Sequence, residues 1–138
     1  MFRTAAIFSI VAITLFALAC GAGSSGPQKT IKSGPAGDLT VTLSNADGVL
    51  RKGKQSFTVT FADAGGNPVD VGSASVNFFM PAMGSMSAMN DPATLTTSGK
   101  PGVYNATVDL QMSGEWQAQV AYDGPAGKGR ASLPVTAQ

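Results

Sequence analysis

From Asp38 to the end of the chain, apolar and polar side chains alternate in short runs. A period of two places alternate residues on one face of a strand, and β-branched and aromatic residues favour strands. The predicted buried faces are Leu39, Val41 and Leu43; Phe57, Val59 and Phe61; Val76, Phe78 and Met80; Tyr104, Ala106, Val108 and Leu110; Trp116, Ala118, Val120 and Tyr122; and Ala131, Leu133 and Val135.

Turn-forming residues separate these runs, as in the segments 64–68, 99–102 and 123–127, which are rich in glycine and proline. Such residues supply the backbone angles that a chain reversal needs, and no stretch shows a helical period with caps. Short strands joined by short links predict an all-β fold, an immunoglobulin-like antiparallel β-sandwich. Trp116 is then expected in the core between the two sheets.

The first part of the chain is typical of a secretory leader rather than of a fold. Arg3 precedes an uncharged apolar run that is too short to span a bilayer, so residues 1–19 are predicted to be a secretory signal peptide. The residues 16–20, FALAC, resemble a bacterial lipobox, which implies a lipid on Cys20 that anchors the protein to a membrane. The alternative is an ordinary signal peptidase site that leaves Cys20 as a free thiol.

Residues 20–37 contain mostly Gly, Ser, Pro and Lys, and they predict a flexible linker after the lipidated Cys20. Residues 38–138 then form one domain of ordinary size. The expected location is extracytoplasmic, on a bacterial membrane, facing the periplasm or the cell surface. Without Arg3, the chain carries eight basic and eight acidic residues, so no broad basic patch exists and nucleic-acid binding is not expected.

Four methionines stand three residues apart within the segment 78–91, at Met80, Met83, Met86 and Met89. Thioether sulfur is a soft ligand that suits Cu(I) and chemically similar ions such as Ag(I). The chain has no histidine, and Cys20 is its only cysteine, so methionine is the soft donor of the mature domain. The site is expected to use Met83, Met86 and Met89, with Met80 or Met112 in support.

The surrounding residues define the geometry expected of this stretch. Pro81 and Gly84 interrupt any helix, which predicts a loop or an extended segment leaving a strand. In a polyproline-like run, residues three apart share a face at about 9 Å, so a closed site needs a curl. Asp91 is expected to offset the charge of a bound ion without contacting it, and Phe79 is expected to lie beneath the loop or to contact a partner.

Methionine also fills irregular gaps in cores, and this competes with a ligand role. Met80 continues the apolar face of Val76 and Phe78, and Met112 follows Leu110 by two, so both are candidates for the core. Flexible apolar side chains equally suit an adaptable protein-binding surface. Two functions therefore stay open: a Cu(I) or Ag(I) binding module, and a metal-free lipoprotein interaction domain that uses the same Met and Phe residues.

An enzyme is not expected. The chain lacks a histidine base and a usable cysteine, and no serine has a visible activating partner. No paired carboxylates suggest general acid–base chemistry, because Glu115 lies beside Trp116 in a predicted strand.

Several segments resemble the YtkA-like domain, a small secreted or lipid-anchored β-sandwich related to FixH-type proteins and also fused to heavy-metal efflux adaptors. The segments that carry the resemblance are DAGGNPV at 63–69, ASVNFFMPAM at 74–83, GVY at 102–104 and MSGEW at 112–116. The resemblance implies a partner in metal efflux or oxidase assembly. Where relatives add proline or histidine, this chain has Ser85 and Ser87, which leaves a site of methionine alone.

Overall fold

The computed structural model describes residues 27–138, so the predicted signal peptide and the lipidation of Cys20 lie outside the described residues. Within this range the chain forms nine β-strands. They are β1 (Lys29–Ala36), β2 (Leu39–Asn45), β3 (Gly53–Ala62), β4 (Ser73–Met80), β5 (Met89–Pro92), β6 (Thr94–Thr97), β7 (Val103–Leu110), β8 (Gly114–Gly124) and β9 (Gly127–Ala137).

The strands form two antiparallel sheets that pack as an immunoglobulin-like sandwich, which confirms the predicted fold class. One sheet has the order β1-β2-β3-β7-β6, and the other has the order β5-β4-β8-β9. Every ladder between named strands is antiparallel. Residues 27–138 contain no helix that is long and apolar enough to cross a membrane.

The core lies between the two sheets and is built from the predicted apolar faces. All of the residues named for those faces are buried except Ala131, which is half-buried against the core. Aromatic rings join the sheets edge to face, with ring centroids 5.7 Å apart for Phe57 and Phe78 and 5.5 Å apart for Phe61 and Tyr122. Such aromatic pairs stabilise the fold beyond the burial of their apolar surface, so these contacts stabilise the packing of one sheet on the other.

The linker prediction is wrong for residues 29–37, because β1 occupies most of them and pairs with β2 from Lys29 to Ala36. The fold therefore begins before Asp38. Small residues let this strand cross close to β9: a Cβ added at Gly34 would lie 2.5 Å from Leu133 Cδ2. Ala36 is fully buried, and its carbonyl accepts a hydrogen bond of 3.0 Å from the Tyr122 hydroxyl.

The strands β5 and β6 were not predicted from the sequence. Each has four residues, and the chain leaves one sheet and enters the other between them, at Ala93. The Ala93 N–H donates to the Val76 carbonyl at 2.9 Å, which holds this crossover against β4. The short β5 is the return arm of a hairpin that begins with β4, and that hairpin contains the methionine stretch.

Candidate functional site

All four closely spaced methionines lie in the hairpin formed by β4 and β5. Met80 pairs with Met89 in the β4–β5 ladder, and Met83 pairs with Met86 in an isolated antiparallel bridge near the tip. Two residues separate the pairs on each arm, 81–82 on one side and 87–88 on the other. The spacing of three is therefore symmetric about one turn, and it places the methionines opposite one another as two cross-strand pairs.

The tip closes through a two-residue turn made by Gly84 and Ser85. The Met83 N–H donates to the Met86 carbonyl at 3.1 Å, and the Met86 N–H donates to the Met83 carbonyl at 2.8 Å. Gly84 has a φ of 56°, whereas within residues 27–138 no residue other than glycine has a positive φ. A positive φ at the first central position alone is the mark of a type II′ turn, which favours glycine there.

This turn gives Met83 and Met86 the geometry of a potential ligand pair. Residues directly opposite in an antiparallel pair project from the same face, with Cβ atoms about 4.5–5.5 Å apart. Each methionine has three rotatable bonds beyond its backbone, so the two sulfurs can reach one ion between them. The turn thus brings these two methionines closer together than an extended segment would.

The side chains of Met83 and Met86 are open to solvent, with exposed fractions of 56% and 42%. They are the exposed large hydrophobic side chains of residues 27–138. Their neighbours at the tip are small or uncharged, and no charged residue occurs from 71 to 90. An approaching ion or protein therefore meets neither a bulky side chain nor a fixed charge on this segment.

The other methionines are placed differently. Met80 is 1% exposed and belongs to the core, with its methyl group 3.2 Å from where a Cβ on Gly114 would lie. Met89 and Met112 are half-buried and pack against the core. The structure therefore brings Met83 and Met86 together at the surface and sets Met80 apart from them. A ligand role for Met80, Met89 and Met112 stays a prediction. A ligand role for Met83 and Met86, called the tip pair below, is a prediction as well.

Asp91 is buried, and it connects the hairpin to the turn between β7 and β8. Its Oδ2 accepts from the Gln111 N–H at 3.0 Å, and its Oδ1 accepts from the Gln111 Nε2 at 2.5 Å. Both carboxylate oxygens are thus engaged in holding β5 against the segment that leads to Met112. Sequence reasoning missed Gln111, because nothing in the spacing of residues 91 and 111 indicates that they meet.

Phe79 is half-buried on the face of β4 opposite to Phe78, as the alternation predicted. Its backbone lies between Asn90 on β5 and Gln117 on β8. Its proposed role as a partner contact is not tested by this placement. Within residues 27–138 no group of three or more His, Cys, Asp or Glu side chains is arranged to hold a metal.

Gly84→Val is expected to open the tip, because a β-branched residue fits a positive φ poorly. The penalty of about 1–2 kcal/mol for a left-handed conformation corresponds to roughly a tenfold loss of any ligand affinity that needs the closed turn. Hydrogen exchange should accelerate at the Met83 and Met86 amides, with little change in global stability. Ser85→Ala is the matched control, and equal exchange in both variants would contradict the assigned turn.

The YtkA-like family model matches residues 35–121, which is more than half of the chain. The matched range runs from the end of β1 to within β8 and so includes the whole methionine hairpin. Comparison with curated proteins and with solved structures found no match to the chain.

Proposed function

This chain belongs to the YtkA-like family, and we propose that it is a membrane-anchored, extracytoplasmic binding module for Cu(I) or Ag(I). The proposed ligands are the thioethers of Met83 and Met86. The proposed anchor is a lipid on Cys20, followed by a short tether that ends where β1 begins. The proposed role is handling or delivery of the ion.

The observation that carries this proposal is the hydrogen-bonded pairing of Met83 with Met86 at an exposed tip. A methionine that only fills a core gap is covered by other side chains, as Met80 is. Met83 and Met86 lie side by side on one turn and form a small exposed apolar patch, which is more informative than a single exposed residue. Soft-ion coordination by two adjacent sulfurs would account for this patch.

The chemistry of the thioether favours transfer over storage. It is neutral and has no proton to lose, so binding should vary little with pH, unlike binding by thiolate or imidazole. It does not compensate the charge of the ion, and no charged residue lies between positions 71 and 90 to do so. Modest affinity at an open tip suits exchange with a partner, for which a metal-efflux or oxidase-assembly protein is the proposed class. The resemblance to domains fused to efflux adaptors supports that class.

We propose no catalytic activity for this module. The described carboxylates do not form a cluster at the tip, and the one buried carboxylate near it, Asp91, is engaged by Gln111. Asp91 is proposed to act on the site through position, since its hydrogen bonds hold the return arm of the hairpin in place.

The test is a competition titration of the full chain against a coloured Cu(I) chelator under anaerobic conditions. Cys20→Ser is present in every protein, so that a free thiol does not contribute. The chain should withdraw Cu(I) from the chelator, and Met80→Leu should do so equally well, because Met80 is buried and Met-to-Leu changes are well tolerated in cores. No withdrawal of Cu(I) by the parent protein would refute the proposal.

A second candidate is a metal-free interaction surface. The exposure of Met83 and Met86 favours it as well, since flexible methionines adapt to different partner surfaces. The two functions differ in what leucine does at these positions. Leucine keeps the apolar surface and removes the sulfur, so an envelope partner would be retained by the Leu variant while a soft ion would be lost.

A further inference from the structure

The tip pair offers a soft ion fewer ligands than such an ion accepts. Cu(I) and Ag(I) have filled d shells, like Zn²⁺, whose structural sites are almost always tetrahedral with four ligands. The hairpin presents two exposed thioethers, at Met83 and Met86. In the other cross-strand pair of the hairpin, Met80 is buried in the core and Met89 is half-buried opposite it. An ion held by the tip pair alone would therefore keep part of its coordination shell open.

The surroundings of the pair leave room for a second protein to fill that shell. The flanking residues Ala82, Gly84, Ser85, Ser87 and Ala88 are small and exposed, and a Cβ added at Gly84 would meet nothing within 4 Å. The segment 71–90 carries no charge. Two copies of this tip can thus approach without a steric barrier or repulsion between like charges on the segment.

We propose that the soft ion joins two copies of this chain tip to tip, with Met83 and Met86 of each copy completing a tetrahedral shell of four thioethers. This inference rests on the proposed function. Such a contact is isologous: the same pair faces itself across a two-fold axis through the ion, and the assembly closes as a dimer. Neutral thioethers make this arrangement accessible, since four thiolates would add four negative charges around a monovalent ion.

The arrangement also explains the position of the pair at the end of a hairpin. A ligand pair on the face of a sheet would bring two broad surfaces together, whereas a two-residue turn meets its copy over a small area. Small contacts of this kind are weak without the ion. The dimer should therefore form when metal is added, become less populated on dilution, and separate when a chelator removes the ion.

The test combines stoichiometry with X-ray absorption on the full chain carrying Cys20→Ser, titrated with Ag(I) in chloride-free buffer. The dimer predicts an endpoint at one ion for every two chains, and about four sulfur neighbours for each silver. Sedimentation or light scattering should show a metal-dependent doubling of the protein mass. Met83→Leu, which leaves one tip thioether per copy, should weaken the association at least tenfold. Ser85→Ala, which keeps both thioethers on the same turn, should leave it unchanged.

Other outcomes distinguish failure of the proposed dimer from failure of the proposed soft-ion site. One ion per chain with two sulfur neighbours and no change in mass would overturn the dimer and leave the soft-ion site intact. Four sulfur neighbours with one ion per chain would implicate Met89 and Met112 of the same copy and would also overturn it. No silver binding at all would overturn the dimer and the proposed function together.

Discussion

Replacing Met83 and Met86 together by leucine is expected to reduce affinity for Cu(I) and Ag(I) by at least a hundredfold. Leucine preserves the apolar volume and removes both sulfurs, and the mature domain has no histidine or cysteine to replace them. Stability should hardly change, because both side chains are exposed and surface substitutions usually fall within about 0.5 kcal/mol. Anaerobic chelator competition measures the affinity, and urea unfolding measures the stability.

The matched control is the double variant Met80→Leu and Met112→Leu, which removes the same number of sulfurs from elsewhere in the domain. It should keep the affinity of the parent protein. If the control loses affinity for the ion and the variant with leucine at Met83 and Met86 keeps it, the ion is held by Met80 and Met112. The assignment of the site to the hairpin tip is then wrong. The comparison holds sulfur count constant and varies position alone.

Trp116→Ala is expected to cost about 3–5 kcal/mol of unfolding free energy, the usual range for large-to-small changes of a buried aromatic. Trp116 is 1% exposed, and its Nε1 donates to the Met112 carbonyl at 3.1 Å. The substitution leaves a cavity between the sheets and a carbonyl without its donor. Since domains of this size have a total stability of about 5–15 kcal/mol, this loss removes between about a fifth and all of the free energy of unfolding.

Urea unfolding followed by far-ultraviolet circular dichroism measures this loss, because the variant lacks the tryptophan needed for fluorescence. Trp116→Phe is the control: it keeps one aromatic ring in the core and removes the pyrrole part of the indole with its N–H donor, so its loss should be clearly smaller. A loss below about 1 kcal/mol for the alanine variant would show that Trp116 does not support the core as its burial indicates.

The sequence predicted most of the fold, because six strands bury one face and leave the other to solvent. Alternation is the direct consequence of that arrangement, and it holds from Leu39 to Val135. The first strand escaped prediction for a physical reason. It packs close to β9 because Gly34 has no side chain, and any side chain there would collide with Leu133. The Gly, Ser and Pro residues that allow this packing have the composition of a linker. Crossover strands of four residues are too short to show a period.

The candidate site was predicted in its residues and only partly in its geometry. The spacing of three suggested one extended, sulfur-lined face, whereas the structure folds it about Gly84 and Ser85 into two opposed pairs. The sequence held a signal for this, since a Gly-Ser step between apolar residues is a recognised two-residue hairpin connection. The engagement of Asp91 by Gln111 joins residues twenty positions apart, and no local pattern encodes such a contact.

The proposed site requires the sulfurs of Met83 and Met86 to bind the ion as a pair. The most direct test is nuclear magnetic resonance of the full Cys20→Ser chain labelled with ¹³C at the methionine methyl groups, titrated with Ag(I). The methyl signals of Met83 and Met86 should shift together to a common endpoint, while the methyl signal of Met80 should stay in place. Unmoved signals at Met83 and Met86 at saturating silver would contradict it, and so would a shift confined to Met80, Met89 or Met112.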